Sequence, residues 1–489
     1  YATKREHSQL MTWFMGLGIF FDDYANSLLV GTSMRPFTDR MKVSREKLAF
    51  LVDSTAAPVS GIAIISTWVG VEIGYIADTY SSLGISEDYY TTFLYSLPYR
   101  FYPLHLLAFV WLVAYLGNDY GPMLKAETRA IAYNQLVRPG RFNIVEAELG
   151  AENGELARRQ LLRNALIPLS ALLGLSLIGL WWTGSIEIDR LNLEKLQQGK
   201  PLLDKSMSKI LEHASPNRVL LISSFLASIA AVASCSFTKA LSLNECVEAW
   251  SAGAKSMFLA ILILVLAWSV ATVCDENHLN TAGVLVELLS GSLSPNWMPT
   301  ITFLLAAAVS FATGSSWSTM GLLMPLSISL TYSLLVPLNE ADPNHHLMLG
   351  TIGGVLAGAI FGDHCSPISD TTVLSSAASG SDHLDHVLTQ MPYALTVAAV
   401  SILFGYIPVG FGFQPYILLP VGLIVLFLIL QFYGKSAEAE AQKLLDAGVT
   451  AEDFNRFEDR ETDQGGITDT NDSASEDGPK SKEESSEEA

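Results

Sequence analysis

Apolar runs recur along almost the whole chain, at 47–77, 101–117, 164–182, 218–237, 256–274, 298–312, 321–336, 346–362, 387–409 and 415–433. A helix crosses a hydrocarbon core with roughly 17–25 apolar residues, so most of these runs predict spanning helices. Others are short or rich in hydroxyl groups, which predicts re-entrant hairpins and broken helices instead. The breaks are legible. The run 347–361 passes into Gly362-Asp363-His364-Cys365-Ser366-Pro367-Ile368-Ser369-Asp370-Thr371-Thr372. A shorter run, 10–20, passes into Phe21-Asp22-Asp23-Tyr24-Ala25-Asn26-Ser27. The run 47–77 contains Asp53-Ser54-Thr55-Ala56-Ala57-Pro58. Between two apolar arms lies Thr313-Gly314-Ser315-Ser316-Trp317-Ser318-Thr319, where Gly314 and the hydroxyls suit a tight re-entrant tip and Pro325 can kink the second arm.

Two of these interruptions look like copies of one unit. Phe21-Asp22-Asp23-Tyr24 lines up with Phe361-Gly362-Asp363-His364, and 44–48 lies where 382–386 lies in the second copy. That pattern predicts an internal duplication. The expected organisation is a first-repeat remainder at 1–120, a loop at 121–163, a second repeat at 164–433 and a tail at 434–489. About twenty residues precede Asp22, against about fifty residues of hairpin before Asp363, so the first copy's hairpin is expected to lie before Tyr1 in a longer chain, the alternative being an incomplete repeat.

Composition settles the class. Half of the 489 residues are hydrophobic and only 16% are charged, with a mean hydropathy of +0.33. A soluble domain carries about 25% charged residues, so the expected fold is an all-α polytopic membrane protein. The net charge of −20 is partly local. From 434 to 489 there are 17 Asp and Glu against 6 Lys and Arg, a net −11. That composition predicts a solvated, disordered acidic tail in which only 437–445 is weakly helical. The four cysteines are dispersed, with no CxxC pair or disulfide framework, and read as small buried hydrophobes.

Charge also orients the chain. The segments 35–47 and 121–163 carry five and seven Lys/Arg, while 78–98 has acids and none, which places the two basic segments in the cytoplasm. The acidic loop 382–386 contrasts with its basic counterpart, and the contrast suggests opposite sides and an inverted repeat. Counting six crossings between the two loops places them on the same side, so the two arguments conflict. The aromatic runs Trp181-Trp182 and 99–102 read as interfacial belts.

Charged residues inside apolar runs are costly and mark sites. A monovalent cation entering such a site exchanges its water for carboxylate, hydroxyl, amide and backbone oxygens. A carboxylate that titrates lets a proton and a cation compete for one place. Four clusters supply these groups: Asp22, Asp23, Asn26 and Ser27; Asp53-Ser54-Thr55; the stretch 313–319 with Ser315 and Ser316; and Asp363, His364, Ser366, Ser369, Asp370, Thr371 and Thr372. The three adjacent side chains Asp363, His364 and Cys365 cannot converge on a tetrahedral zinc, and no distant Cys/His pair completes a set. Neighbouring Cys365 or Ser366 and His364 make a poor nucleophile–base pair, and His105 has no nearby acid, so it reads as an interfacial histidine. No phosphate-binding loop occurs and nothing supports nucleic-acid binding. No cofactor or enzymatic activity is expected.

The stretch 362–372, followed by Asp382-His383-Leu384-Asp385-His386, resembles the signature of the NhaC-type sodium/proton antiporters. Phe21-Asp22-Asp23-Tyr24-Ala25-Asn26, Met34-Arg35-Pro36, Val43-Ser44-Arg45-Glu46-Lys47, Asp53-Ser54-Thr55-Ala56-Ala57-Pro58, Gly253-Ala254-Lys255-Ser256-Met257 and Thr313-Gly314-Ser315-Ser316-Trp317-Ser318 are similar to other parts of that family. The resemblance covers about 4–433. It implies an ion-transporter scaffold with a moving transport domain, two repeats each with a hairpin and a broken helix, and often a dimer. It also implies exchange of Na⁺ or another monovalent cation for H⁺ in a bacterial inner membrane. Asp363 and Asp370 would be the main carriers of transported Na⁺ and H⁺, with Asp22 and Asp23 as their repeat counterparts. Some members of the wider family exchange malate or lactate, so a cation-coupled carrier of small organic anions is the alternative, and it would need a fixed positive group beside the motifs.

Overall fold

The computed structural model describes residues 4–139 (apart from 65 and 86), 155–197, 216–256 and 294–456, with isolated positions between 197 and 216. These residues are almost entirely helical. Helix α1 (Arg5–Gly18) breaks at 19–22 and resumes as α2 (Asp23–Arg40). Asp22 sets the restart, because its carboxylate accepts the Ala25 N–H at 2.9 Å and satisfies a first-turn donor. Helix α3 (Arg45–Asp53) is capped by Ser44 and stops at Asp53. Residues 54–56 interrupt it, and α4 (Ala57–Ile62) resumes with Pro58 in its first turn, where the missing N–H costs nothing.

Next come α5 (Thr67–Ser82), α6 (Tyr89–Ser96), α7 (Phe101–Leu116) and α8 (Gly121–Tyr133). A long α9 (Glu155–Gln197) is followed by α10 (Pro216–Phe237) and α11 (Leu243–Ser256). The second half holds α12 (Met298–Thr313), α13 (Ser316–Leu335), α14 (His346–Cys365), α15 (Asp370–Ser379), α16 (His383–Ser401), α17 (Ile407–Gly410), α18 (Pro415–Tyr433) and α19 (Ala437–Asp446).

Among the described residues, six helical stretches are long and apolar enough to cross a membrane, or eight if each of two bent pairs counts as one span. One bent pair is Arg45–Ile62 with Thr67–Ser82, at 47°. That bend falls at 63–66; the run 47–77 is also interrupted at 54–56, within the polar Asp53–Pro58 segment, where α3 ends and α4 begins. The run expected at 256–274 lies outside the described residues.

Helix α14 is the centre of the bundle. Every residue from Leu347 to Cys365 except Phe361 is buried, as a helix that is apolar all round must be. It packs closely on α12 because glycines face that helix. A Cβ at Gly358 would stand 2.4 Å from the Phe303 carbonyl oxygen, and one at Gly362 would stand 2.3 Å from that of Ala307. The succession Phe303–Gly358, Ala307–Gly362 makes α12 and α14 parallel. The α12–α13 turn therefore reaches the level of the α14–α15 break. Gly314 makes that turn at φ +62°, and a Cβ there would lie 2.8 Å from the Ile368 backbone.

The two loops whose sidedness the sequence left in conflict are neighbours. Arg45 Nη1 donates to the Gly380 carbonyl at 3.2 Å, and Arg138 pairs with Asp385 at 3.4 Å. The loops lie together, so the charge contrast, which includes the Arg138–Asp385 pair, is not a mark of opposite sides; the count of crossings between them runs over residues outside the described part. The half-helices α2 and α15 also run parallel: Tyr24 meets Asp370, Ser27 meets Ser375, and Gly31 meets Ala378.

Residues 434–456 are not a free extension. Lys435–Ser436 pair antiparallel with Asn118–Asp119, α19 buries Ala437 and Ala441, and the Tyr133 hydroxyl donates to the Val449 carbonyl at 3.0 Å. The acidic residues beyond 456 lie outside the described part. The segment expected as a loop at 121–163 begins with the thirteen residues of α8.

Candidate functional site

The α14–α15 break, the α1–α2 break, the end of α3 and the α12–α13 turn converge. Asp363 lies two residues before the end of α14. Its Oδ2 accepts the Ser316 hydroxyl at 3.0 Å, while its Oδ1 is buried without a hydrogen-bond partner. Ser369 faces the same carboxylate, and Asp370 and Asp53 stand within electrostatic range. Asp370 opens α15 and accepts the Tyr24 hydroxyl at 2.6 Å. Asp23 opens α2, buried beside Trp68 and within range of Asp22 and Asp370. Trp68 in turn stacks against Trp317 of the hairpin, with ring centroids 4.8 Å apart.

Asp53 is held from three sides. Its Oδ2 accepts Thr372 Oγ1 at 2.9 Å and Gln390 Nε2 at 3.0 Å, and its Oδ1 accepts Ser375 Oγ at 3.3 Å. His364 Nε2 lies 4.0 Å from this carboxylate. The imidazole itself bridges Ser54 Oγ at 3.1 Å and the Tyr102 hydroxyl at 2.9 Å.

Asp23, Asp53, Asp363 and Asp370 have no Lys or Arg within ion-pair distance among the described residues. A buried carboxylate without a cation is unstable as a bare charge. It persists either carrying a proton or beside a bound cation. The buried cations nearby are committed elsewhere. Arg100 pairs with Glu72 at 2.8 Å, both fully buried, and also donates to the Gly61 carbonyl. Lys47 pairs with Asp119, which also accepts the Tyr393 hydroxyl at 2.6 Å. Arg129 pairs with Glu46 at 2.6 Å.

The remaining sequence candidates have visible occupations. Asp22 caps α2. The Asn26 amide nitrogen lies 2.8, 3.0 and 2.8 Å from the carbonyls of Gly16, Ile19 and Thr55, so it clamps the breaks of α1 and α3 together. Ser315 caps α13 through the Ser318 N–H. Ser366 donates to the Phe311 carbonyl at 2.9 Å, and Ser369 and Thr371 share a hydrogen bond of 3.0 Å at the start of α15.

The alignment of the two copies shifts in register. Asp22 and Asp23 occupy the cap and first position of α2, and Ser369 and Asp370 occupy those of α15. Capping geometry therefore matches Asp23 to Asp370 rather than to Asp363. The place equivalent to Asp363, two residues before the end of α1, is held by Gly16.

Sequence reasoning missed Gln390, Tyr24, Tyr102 and Ser375. Gln390 is a polar residue inside an apolar run, which was a usable signal. Tyr102, expected in an interfacial belt, is fully buried on His364. His105 is fully buried within the protein, with Nδ1 2.9 Å from Ser401 Oγ and Nε2 3.3 Å from the Leu419 carbonyl.

A sequence profile described as the Na⁺/H⁺ antiporter family matches residues 59–411. An uncharacterized protein of Haemophilus influenzae is 33% identical over 398 residues, covering 81% of this chain and 69% of that protein. The malate-2H⁺/Na⁺-lactate antiporter of Bacillus subtilis is 33% identical over 112 residues, 23% of this chain and 22% of that protein. The Na⁺/H⁺ antiporter NhaC of Alkalihalophilus pseudofirmus is 30% identical over 137 residues, 28% of this chain and 26% of that protein. No solved structure matches.

Proposed function

This chain belongs to the Na⁺/H⁺ antiporter family, and from that premise we propose that it exchanges Na⁺, or another monovalent cation, for H⁺ across a bacterial inner membrane as a multi-pass protein. The observation that carries the reading is a set of four carboxylates, the buried Asp23, Asp53 and Asp363 and the half-buried Asp370, with no Lys or Arg paired to them among the described residues. Asp363 Oδ1, buried and unpartnered, is the atom best placed to meet a cation.

Asp363, Asp370 and Asp23 take the transported Na⁺, with the Ser316, Ser369 and Thr371 hydroxyls as neutral oxygens. Asp53, ringed by Thr372, Ser375 and Gln390, holds the exchanged proton beside His364. Asp22, Asn26, Ser315 and Ser366 shape the breaks that present these groups. Because the hairpin tip and both breaks meet here, movement of any one of them opens or closes the site. Assembly as a homodimer belongs to the same reading and is tested by cross-linking in membranes.

Exchange of small organic anions, the activity printed for the Bacillus relative, needs a cation to receive a carboxylate. Lys47, Arg100 and Arg129 each face a carboxylate of this chain, which disfavours that reading. The deciding experiment reconstitutes the full-length protein in liposomes under an imposed pH gradient. Na⁺, Li⁺ or K⁺ alone is expected to dissipate the gradient. Flux that appears only with malate or lactate would replace the antiporter reading with the anion carrier.

A further inference from the structure

The acidic loop at the start of α16 leads into a second chain of titratable groups, apart from the carboxylate site. His383, half-buried near the surface, donates from Nε2 to the Pro367 carbonyl at 2.6 Å, since a carbonyl can only accept. Its Nδ1 lies 3.0 Å from Ser376 Oγ, and Ser376 Oγ lies 2.8 Å from His386 Nδ1. His386 is fully buried, and its Nε2 has no hydrogen-bond partner. Gln390 faces this ring, and its Oε1 is likewise buried and unpartnered. The orientation of Gln390 is fixed, because its Nε2 donates to both the Asp53 carboxylate and the His364 carbonyl, at 3.0 and 2.6 Å.

This chain of groups is one hydrogen short. With both rings neutral, His383 carries its hydrogen on Nε2, so Nδ1 accepts the Ser376 hydroxyl hydrogen. Ser376 Oγ then accepts the hydrogen on His386 Nδ1. That leaves His386 Nε2 bare, facing a region where Gln390 Oε1 is also bare. Two buried acceptors lack one hydrogen, a costly arrangement that a single added proton relieves. The alternative, in which Ser376 donates to the Thr372 carbonyl at 2.8 Å, still lets Ser376 Oγ accept the His386 Nδ1 hydrogen but leaves His383 Nδ1 bare as well, and calls for two more hydrogens.

We propose that His386, Ser376 and His383 form a proton-loading chain of the exchange reaction, joined to Asp53 through Gln390. A proton that leaves the Asp53 carboxyl and is taken up at His386 Nε2, leaving Asp53 ionised, displaces the Nδ1 hydrogen onto the Ser376 oxygen, and the hydroxyl's own hydrogen passes to His383 Nδ1. The unit positive charge has then moved from the buried ring to the half-buried one, with no heavy atom displaced and every valence kept. The reverse order brings a proton inward. A proton on His386 also satisfies Gln390 Oε1 and so holds the amide donating to Asp53, which favours the ionised form of that carboxylate.

The charged and titratable neighbours are few. Asp382 and Asp385 stand on α16 itself, the latter paired with Arg138. His364 faces His386 from α14, and the guanidinium of Arg35 on α2 and that of Arg45 both lie at Gly380 at the outer end. Asp53 of α3 lies beyond Gln390.

This inference rests on the antiporter reading, and the test separates the two. The unaltered full-length protein, His386→Ala and His386→Gln are reconstituted in liposomes. Na⁺-driven proton flux and isotopic Na⁺/Na⁺ exchange are measured side by side, the second needing no net proton transfer. Both variants are expected to lose at least about tenfold in proton flux, while Na⁺/Na⁺ exchange and the apparent KM for Na⁺ stay within about twofold. Imidazole added to the medium should restore flux in His386→Ala. Proton flux unchanged in both variants, or both exchange modes falling together in both, overturns the chain. Absence of any exchange by the unaltered protein overturns the antiporter reading, and the chain with it.

Discussion

Asp363→Asn isolates a single charge. Asparagine retains an oxygen to accept the Ser316 hydroxyl, now at 3.0 Å, so the hairpin tip and α14 keep their contact. What is lost is one negative charge at a buried oxygen without a partner. Two unit charges about 4 Å apart at an effective dielectric of about 20 interact with about 4 kcal/mol. At about 1.36 kcal/mol per factor of ten, the variant should bind Na⁺ about a thousandfold more weakly. In the unaltered protein, a proton on Asp363 excludes Na⁺ from it, in addition to the proton that Asp53 holds. Acidification should therefore raise the apparent KM for Na⁺, approaching about tenfold per pH unit once the shared carboxylate is mostly protonated. Proteoliposomes loaded with a pH-sensitive dye report both quantities from Na⁺-dependent proton flux. Asp363→Asn should abolish exchange at every pH rather than displace the pH profile. Flux within about twofold of the unaltered protein would remove Asp363 from the carriers.

The scaffold makes separate demands. Arg100→Leu leaves Glu72 charged and buried without its partner, and should destabilise the protein by about 3–5 kcal/mol; thermal unfolding in detergent reads the loss, and combining it with Glu72→Leu should recover more than half. Gly314→Ala places a Cβ on a left-handed residue 2.8 Å from the Ile368 backbone. It should cost about 1–3 kcal/mol and raise the apparent KM for Na⁺, because the turn carries Ser316; unchanged KM would detach the hairpin tip from the site.

Much of the fold was legible because a membrane leaves little freedom. Buried backbone must be satisfied within a helix, so apolar runs become helices and polar insertions become breaks. Asp22, Ser44, Ser66, Ser315, Ser369 and Asp382 all cap helix starts, and each precedes its helix in the sequence as a capping residue should. The internal alignment went astray for a related reason. It matched letters, Phe-Asp-Asp-Tyr to Phe-Gly-Asp-His, whereas the structure matches cap to cap. A half-helix restarts where a side chain can accept its first free N–H groups, and that requirement selects Asp22 and Ser369.

The pairings of charge were not legible, and they change what the positive residues mean. Lys47 counts as a loop cation in sequence, yet it is fully buried against Asp119, two turns from Asp53 on the same helix. Arg100 and Arg129 are likewise consumed by Glu72 and Glu46. Each partner lies far along the chain or on another element, so no local spacing reveals it. The consequence bears directly on function. Every buried Lys and Arg named here is matched by a carboxylate of the scaffold, whereas Asp23, Asp53, Asp363 and Asp370 are matched by none. The bundle thus separates its charges into two sets: one neutralised internally, fixing helices against one another, and one left open at the breaks. Only the open set can exchange a proton for a cation without pulling the scaffold apart. Adding a permanent cation there, as in Ser316→Lys, should fill the place of Na⁺ and stop exchange while leaving the helices assembled.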